Sequence, residues 1–357
     1  MHARGTGMQD ARRSQPTTRV RTPRSAREQA PDAVTPATQA VFVQRTTRAG
    51  RHLPDAPADA DVAGIQITSA RRVIDAASGI RKIDLVRYYE RASRWLLPYL
   101  RDRPVSLVRA PRGLAGEMFF QRHAARAPIP GLTQYEGLDP GHPPLLTIDS
   151  EAALVGAAQM DTIELHTWNA CVAEIERPDR VVFDLDPDPA LGWDCMIEAA
   201  TLTRALLREL GLEAFCKTSG GKGLHVVAPL TPEAGWEDVK AFARAIAQRL
   251  AWDSPTWITA TMGPEHRKKK IYVDYLRNAR GASTVVAYGV RARPGMGVSV
   301  PISWDELANT TGGAQWTLHN IDERLAAAEE ADPWAGYGRV KQKVTAELTI
   351  GLEERDR

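Results

Sequence analysis

The sequence predicts an α+β fold built around a sheet that is covered by helices. The main observation is the order of patterns between residues 181 and 275, where short β-forming runs alternate with longer runs of helical periodicity. A strand, a helix, two strands, a second helix and a last strand follow one another, which is the order of a split βαβ, ferredoxin-like motif around a mixed or antiparallel sheet. In addition, 43% hydrophobic and 25% charged residues in a chain of 357 suit one large or two ordinary globular domains.

Each element of this motif has its own signal. The helical runs carry apolar residues at helical spacing, and Gly211 closes the first of them. The strands are short runs rich in apolar residues. In chain order the predicted elements are VVFDLDP, DCMIEAATLTRALLRELG, LEAFCKTS, GLHVVAPL, GWEDVKAFARAIAQRLA and KIYVDYL.

The region before the motif predicts a smaller set of elements. GIQIT predicts a short strand, VSLVRA and TIELHTWNA predict two more, and a helix is expected from Ser150. The segment GLAGEMFFQRHAARAPIPGLT is expected to be a loop. An amphipathic helix after Lys82 is predicted from four apolar residues at helical spacing, Ile83, Val86, Tyr89 and Leu96.

The N-terminal segment differs from the rest in composition. Residues 1–60 contain ten arginines, no lysine and five acidic residues, a net charge of +5 that leaves −3 for the remaining residues. Phe42 is their only aromatic residue, so they bury too little apolar surface to offset the entropy of ordering. We expect a disordered arm, with any affinity for nucleic acid coming from the arm or from local basic patches.

Cysteine usage and hydropathy indicate the compartment. Three cysteines lie far apart without metal-ligand spacing, which suits structural thiols in a reducing environment. No apolar run approaches the length of a membrane span, and no secretory signal follows the N-terminal arginines. We therefore expect a cytoplasmic protein with no membrane partner.

Three aspartates are expected on one surface of the motif. Because side chains alternate along a strand, Asp184 and Asp186 point to one side and Leu185 to the other. Two anions so close repel each other unless a cation lies between them. Tyr272 and Asp274 share a face of the last strand, which adds a third carboxylate. A polar strand end that faces water is the alternative interpretation of the first pair.

A glycine-rich turn is predicted between the two middle strands. The glycines of KTSGGKGLHVV let the backbone approach a ligand, and Ser219, Lys222 and His225 add a hydroxyl, a cation and an imidazole. This combination suits a polyphosphate. It is not a Walker loop, because the GxxxxGK[ST] pattern and the following helix are missing. A purely structural hairpin is the alternative.

Basic residues surround the third aspartate. HRKKK precedes its strand, and Arg291 and Arg293 follow in VRARPG, although such a run also fits a solvated face. Together with the aspartates and the turn, these residues form a coherent site. Carboxylates of this kind bind Mg²⁺ or Mn²⁺, with substrate phosphates completing the coordination. Two such ions can stabilise the attacking and leaving oxygens of a phosphoryl transfer.

These motifs resemble those of the polymerase domain of bacterial DNA ligase D, a member of the archaeo-eukaryotic primase superfamily used in non-homologous end joining. DLDP is similar to the family's first metal motif, SGGKGLH to its second, and VDYLRN with RARPG to its third. RPVSLVR, FFQRH, ELHTW and PISWDEL also resemble family segments, so the resemblance extends from Gly64 to Trp334. It implies a primase-like catalytic core with the split βαβ sheet, flanking helices and a smaller N-terminal α/β part.

The resemblance implies a role for each group of residues. Metal binding and catalysis fall to Asp184, Asp186 and Asp274. Contacts to the nucleotide fall to His166, Ser219, Lys222, His225, Arg291 and Arg267. Contacts to DNA fall to Phe119 and Phe120, which would stack on template bases, and to Arg72 and Lys82, which would bind a downstream 5′-phosphate. Ser69-Ala70-Arg71-Arg72 departs from the family's N/H-P-D-K/R pattern at this last position.

The resemblance also implies an activity and partners. We expect template-directed nucleotidyl transfer that fills gaps and extends DNA ends, with a preference for ribonucleotides and two Mn²⁺ or Mg²⁺ ions. Expected partners are gapped, nicked or 3′-overhanging DNA, NTP or dNTP, a Ku-type end-binding protein and, because no KxDG ligase motif is present, a separate DNA ligase. A primase that starts strands de novo and a non-catalytic module that bridges DNA ends are the alternatives.

The same resemblance divides the chain. The expected arm at 1–60 precedes a primase-polymerase domain at 61–340, which consists of an N-terminal part at 61–160, a catalytic core at 161–310 and a C-terminal part at 311–340, with a tail at 341–357. We expect a free-standing, nucleoid-associated polymerase.

Overall fold

The computed structural model describes residues 60–354, so the arm expected at residues 1–60 lies outside the described residues except for Ala60. The helices are α1 (Lys82–Leu100), α2 (Glu151–Gln159), α3 (Trp193–Glu209), α4 (Trp236–Asp253), α5 (Ile321–Glu330) and α6 (Ala346–Glu354). The strands are β1 (Ala60–Val62), β2 (Ile65–Ile67), β3 (Val73–Asp75), β4 (Ile80–Arg81), β5 (Val105–Arg109), β6 (Phe119–Gln121), β7 (Thr133–Tyr135), β8 (Leu145–Thr147), β9 (Thr162–Thr167), β10 (Arg180–Pro187), β11 (Phe215–Thr218), β12 (Leu224–Pro229), β13 (Ile258–Thr259), β14 (Ile271–Asp274), β15 (Thr284–Val285) and β16 (Pro301–Ile302). No helix among the described residues is long and apolar enough to cross a membrane.

The central sheet has six strands in the order β13-β14-β10-β12-β11-β16. Neighbouring strands are antiparallel except β13 and β14, which are parallel. Strands β10, β11, β12 and β14 with helices α3 and α4 form the split βαβ motif, which confirms the fold predicted from the sequence.

Alternation along β10 gives the central sheet two different faces. Val181, Phe183 and Leu185 are fully buried in the apolar core that they share with α3 and α4. Burying one large apolar side chain stabilises a fold by roughly 1.5–3 kcal/mol, so this face fixes the register of the strand. Asp184 and Asp186 consequently lie on the opposite face.

A second, antiparallel sheet has the order β15-β9-β5-β6, and its core is shared with α1 and α2. The Tyr89 hydroxyl donates a hydrogen bond of 2.6 Å to the carbonyl of Ile163 in β9. Helix α2 begins after Ser150, whose hydroxyl accepts a hydrogen bond from the Ala153 N–H. The apolar positions predicted for α1 are all buried, namely Ile83, Val86, Tyr89 and Leu96.

One segment differs from the sequence-based expectation, and another gains a structural description. The predicted loop GLAGEMFFQRHAARAPIPGLT contains β6, which pairs with β5 so that Phe119 lies opposite Arg109. The predicted tail contains α6, and Val344 and Leu352 join the buried core of the central sheet. A strand of three residues is too short to show a period of two, which explains why β6 was not expected.

Asn278 continues the sheet where β14 stops at Asp274. Its side-chain amide donates to the Val182 carbonyl and accepts from the Val182 N–H, both at 2.8 Å. The side chain of Asn169 donates to the same Asn278 oxygen at 3.1 Å, and Asn278 is fully buried. The chain therefore leaves the sheet directly after Asp274 while the backbone of β10 remains paired.

Candidate active site

Four ionisable residues form a row across the central sheet. Asp274 of β14 lies opposite Asp184 of β10. His225 of β12 lies opposite Asp184 on one side and opposite Lys217 of β11 on the other. The side chains of Asp274, His225 and Lys217 are buried. Strand register thus brings together residues that are far apart in the chain.

The two ring nitrogens of His225 have different surroundings. Its Nε2 lies 3.2 Å from Oδ1 of Asp184, whereas its Nδ1 is buried without a hydrogen-bond partner among the described residues. Burial and the charge of Lys217 lower the pKa of His225 to about 4, so the imidazole is neutral at pH 7. Lys217 donates to the Ser299 hydroxyl at 2.7 Å, and burial lowers the pKa of Lys217 well below its usual value.

Asp186 lacks sufficient positive charge around it. Burial and the carboxylate of Asp184 raise the pKa of Asp186 to about 6. The nearest cation is Arg267, whose Nη1 lies 3.9 Å from Oδ2 of Asp186 and whose guanidinium stands 4.0 Å from the centre of the Tyr272 ring. A carboxyl group whose pKa is raised by a neighbouring negative charge is typical of a site that binds a further cation.

Arg277, which sequence reasoning missed, contacts the two facing aspartates. Its Nε lies 3.0 Å from Oδ2 of Asp274 and 3.6 Å from Oδ2 of Asp184. Burial opposes ionisation of Asp184, but His225 and Arg277 hold the pKa of that carboxyl well below its usual range. Burial raises the pKa of Asp274. The VDYLRN motif contains Arg277, yet nothing in the motif signalled that its side chain turns back on the aspartates.

The donor set fits a hard divalent cation. The three aspartates supply only carboxylate oxygens, which Mg²⁺ and Mn²⁺ prefer as ligands. Among the described residues, Asp184, Asp186 and Asp274 do not place one oxygen each within 4.8 Å of the others. In this structure Arg277 is the cation that Asp184 and Asp274 share.

Ser219 shapes the glycine-rich turn between β11 and β12. Its hydroxyl accepts hydrogen bonds from the N–H groups of Gly221 at 3.2 Å and Gly223 at 3.1 Å. Gly220 has a φ of +65°, and a Cβ atom there would lie 2.9 Å from the backbone nitrogen of Ser299. The position therefore requires glycine. The Ser219 hydroxyl, a predicted nucleotide contact, is used within the turn.

Lys222 is the exposed cation of this turn. It borders a cavity of about 530 Å³ that is also lined by Asp188, Trp193 and residues 311–315. The turn therefore carries an exposed cation close in the chain to the buried imidazole of His225 in β12.

Glu164, also missed from the sequence, connects two predicted nucleotide contacts. Its Oε2 lies 2.6 Å from Nε2 of His166 and accepts a hydrogen bond of 3.0 Å from Nε of Arg291. Its Oε1 accepts from the Ala292 N–H at 2.7 Å, and Arg291 also donates to the Ser219 carbonyl at 3.0 Å. Burial acts to raise the pKa of Glu164, yet the contacts with His166 and Arg291 lower it to about 2.

Phe119 and Phe120 form an exposed aromatic pair on β6, with 43% and 47% of their surfaces accessible. The guanidinium of Arg109 stands 5.1 Å from the Phe119 ring centre, and that of Arg122 stands 5.2 Å from the Phe120 ring centre. The Phe120 ring lies 6.1 Å from the His166 ring. The pair therefore lies next to the Glu164 network and has cations beside it.

Arg72 and Lys82 meet at one carboxylate. Nζ of Lys82 lies 3.6 Å from Oδ1 of Asp161, and Arg72 pairs with the same oxygen while donating to the Pro111 carbonyl at 2.8 Å. Lys82 is buried at the start of α1, and burial lowers its pKa. A phosphate bound here has to compete with Asp161, a residue that sequence reasoning missed.

Comparisons with known proteins agree with this fold. Residues 81–334 match the family model of the LigD primase-polymerase domain. The chain is 53% identical over 290 residues to the multifunctional non-homologous end joining protein LigD of Pseudomonas aeruginosa, an overlap of 81% of this chain and 34% of that protein. It is 29% identical over 263 residues to the bifunctional non-homologous end joining protein LigD of Bacillus subtilis, an overlap of 73% of this chain and 42% of that protein. The chain therefore spans less than half the length of these relatives.

A solved structure shows the same similarity. The polymerase domain of Mycobacterium tuberculosis ligase D in complex with DNA superimposes with a TM-score of 0.68 at 28% sequence identity. The match covers 80% of this chain and 98% of that domain. It includes the α+β architecture with its split βαβ sheet.

Proposed function

The chain belongs to the LigD primase-polymerase family of nucleotidyltransferases, and we propose that it fills gaps and extends DNA ends under template direction in non-homologous end joining. The observation that carries this proposal is the row of Asp274, Asp184 and His225 beside the glycine-rich turn. Such a row provides carboxylates for the reacting phosphate and an imidazole with a cation for the rest of a triphosphate.

We propose that Asp184, Asp186 and Asp274 hold two divalent ions, Mn²⁺ or Mg²⁺. The raised pKa of Asp186, caused by burial and the neighbouring carboxylate, supports this role because a bound cation relieves that repulsion. The ions would supply charge stabilisation for the displacement of pyrophosphate by the primer 3′-hydroxyl.

The incoming triphosphate would lie between the turn and the second sheet. Lys222 would contribute a mobile cation, and Arg291 a cation whose direction Glu164 fixes. The unpaired Nδ1 of His225 and the imidazole of His166 would contact the nucleotide, and Arg267 would reach it from above Asp186. Ser219 would act by keeping the backbone N–H groups of the turn in place. A preference for ribonucleotides belongs to the same proposal.

The DNA would bind across the second sheet. Phe119 and Phe120 would stack on unpaired template bases. Arg72 and Lys82 would bind the downstream 5′-phosphate, which would replace Asp161 as their anionic partner. A Ku-type end-binding protein and a DNA ligase activity would supply end recognition and sealing.

Primer extension on a gapped duplex with a 5′-phosphate tests the function. The comparison is between wild type, Asp184→Asn and the control Asp253→Asn, a half-exposed aspartate at the end of α4. Each is supplied with NTP or dNTP and with Mn²⁺ or Mg²⁺. We expect template-matched addition by wild type and the control, strongest with NTP, and no addition by Asp184→Asn.

DNA binding measured on the same proteins separates the polymerase from the non-catalytic bridging module. Asp184→Asn is expected to bind the gapped duplex as tightly as wild type. If wild type binds DNA but adds no nucleotide with either metal, the chain is a bridging module. If Asp184→Asn keeps full activity, the assignment of the metal ligands is wrong.

A further inference from the structure

Two histidines and an aspartate converge outside the proposed active site. Nε2 of His123 lies 2.9 Å and Nδ1 of His142 lies 3.5 Å from the same oxygen, Oδ2 of Asp139. The two imidazole rings are stacked, with centroids 4.9 Å apart and planes inclined by 8°. All three ligand atoms lie within 4.8 Å of one another.

The chain builds this cluster from a tight turn and a strand end. Asp139 and His142 are joined by a turn in which the His142 N–H donates to the Asp139 carbonyl at 3.1 Å, and Gly141 takes a φ of +84°. His123 lies two residues after the end of β6 and forms a β-bridge with Leu145. Two independent backbone segments therefore bring nitrogen and oxygen ligands to one point.

The spacing is close to that of a metal site. Zinc binds histidine nitrogen and carboxylate oxygen at about 2.0–2.2 Å, which puts neighbouring ligand atoms of a tetrahedral site about 3.4 Å apart. The 3.5 Å between Nδ1 of His142 and Oδ2 of Asp139 matches this value. Nε2 of His123 would have to move about 0.5 Å away from Oδ2, and the exposed ring of His142 would have to turn out of its stack with His123 to direct its nitrogen at the ion. His142 is 58% exposed, so a fourth position is open to water.

Arg280 holds the carboxylate in the orientation that a metal requires. Its Nη1 donates to Oδ1 of Asp139 at 3.1 Å, which leaves Oδ2 for the histidines. Arg280 is itself fixed by the Leu138 carbonyl at 2.8 Å and by the carboxylate of Glu176. Groups that orient a ligating carboxylate in this way commonly affect metal affinity by 10–100-fold.

We propose that His123, Asp139 and His142 bind a first-row transition ion such as Zn²⁺, at a site separate from the three aspartates. Two imidazoles and one carboxylate suit such an ion better than Mg²⁺, which prefers oxygen ligands alone. The ion would tie the end of β6, which carries the aromatic pair, to the segment that follows β14 through Arg280. The site is therefore a structural link between the two sheets.

Metal titration of the purified chain tests the proposal. Co²⁺ is followed by its visible absorbance and Zn²⁺ by calorimetry, in wild type and in His142→Ala. The exposed His142 is the ligand whose loss disturbs folding least. The matched control is His266→Ala, because His266 is 51% exposed and lies 3.3 Å from the carboxylate of Glu265, and no third His, Cys, Asp or Glu of residues 60–354 completes a metal cluster there. A variant with Asp184→Asn and Asp186→Asn removes binding at the proposed active site.

We expect one ion to bind with equal affinity to wild type, His266→Ala and the double aspartate variant. The affinity for this ion should be at least tenfold lower in His142→Ala and in His123→Gln. In the Asp184→Asn/Asp186→Asn background the ion should raise the melting temperature, and adding His142→Ala to that background should abolish the rise. Equal affinity in wild type and His142→Ala, no binding by wild type, or loss of the ion in the double aspartate variant would overturn the proposal.

Discussion

Replacing Glu164 by glutamine removes one buried negative charge and keeps the shape of the side chain. In the structure this carboxylate contacts His166, Arg291 and the backbone of Ala292. The side chains of Glu164 and Arg291 are only 8% and 17% exposed, so solvent screens their interaction weakly. The variant therefore leaves a partly buried arginine without its charged partner.

The magnitude follows from the pKa of Glu164. Burial alone would raise this pKa, but the contacts with His166 and Arg291 lower it from 4.5 to about 2. Because a tenfold change in proton affinity is worth about 1.4 kcal/mol, the carboxylate stabilises the folded state by about 3 kcal/mol at neutral pH. A folded-state pKa below the unfolded value means that this stabilisation is lost as the pH falls from 4.5 towards 2.

Urea unfolding measures this difference. We expect Glu164→Gln to lower the free energy of unfolding by about 3 kcal/mol at pH 7, and the gap from wild type to narrow below pH 4.5. The matched control is Glu233→Gln, which removes a half-exposed pair with Lys343 and should cost less than about 1 kcal/mol. In primer extension, Glu164→Gln should raise the KM for the nucleotide, because Arg291 loses the contact that directs it.

One result would refute the reasoning. If Glu164→Gln and Glu233→Gln lower the free energy of unfolding equally, the cost of burying Glu164 and Arg291 cancels their attraction. The carboxylate would then have no net role in stability, and any change in the KM would have to come from another source.

Two further substitutions test the arrangement of the site. Arg277→Gln should lower the free energy of unfolding in EDTA by about 1–2 kcal/mol, because Asp184 and Asp274 lose the cation they share. Excess Mn²⁺ should restore the stability, which thermal unfolding with and without Mn²⁺ measures. Equal stability of variant and wild type in EDTA would contradict this expectation. Phe120→Ala should weaken binding of a gapped duplex about tenfold without lowering the melting temperature, since stacking on a base is worth about 1–3 kcal/mol. Fluorescence anisotropy compares its affinity with that of Trp252→Ala, which removes an exposed aromatic side chain on α4. Equal affinities of the two variants would count against a role of the aromatic pair in DNA binding.

The central motif could be predicted from local patterns because each of its elements is long or strongly apolar. Helix α4 repeats its buried positions every three or four residues, and β10 alternates between core and site. Those same patterns imply that Asp184 and Asp186 share a face. The confirmed fold therefore follows from periodicity, and the family from the order of its motifs.

The supporting contacts could not be predicted, because they depend on pairing between distant segments. Glu164 looks like one polar residue in a strand, and its partner Arg291 follows 127 residues later. Arg277 is a single basic residue after β14, and only the turn that follows the strand directs its side chain to the aspartates. The assigned roles of the site residues remain predictions that the proposed experiments test.

Asn278 replaces a missing strand residue in the hydrogen bonding of the central sheet. A strand that stops early next to a longer neighbour leaves buried peptide groups of that neighbour unpaired, which costs free energy. Here the amide of Asn278 occupies both the donor and the acceptor of Val182, so the gap beside β10 is closed by a side chain. Leucine at this position would reopen the gap and leave two buried backbone groups unsatisfied. One carboxamide thus allows β14 to end at the carboxylate of Asp274 while the neighbouring backbone of β10 stays hydrogen-bonded.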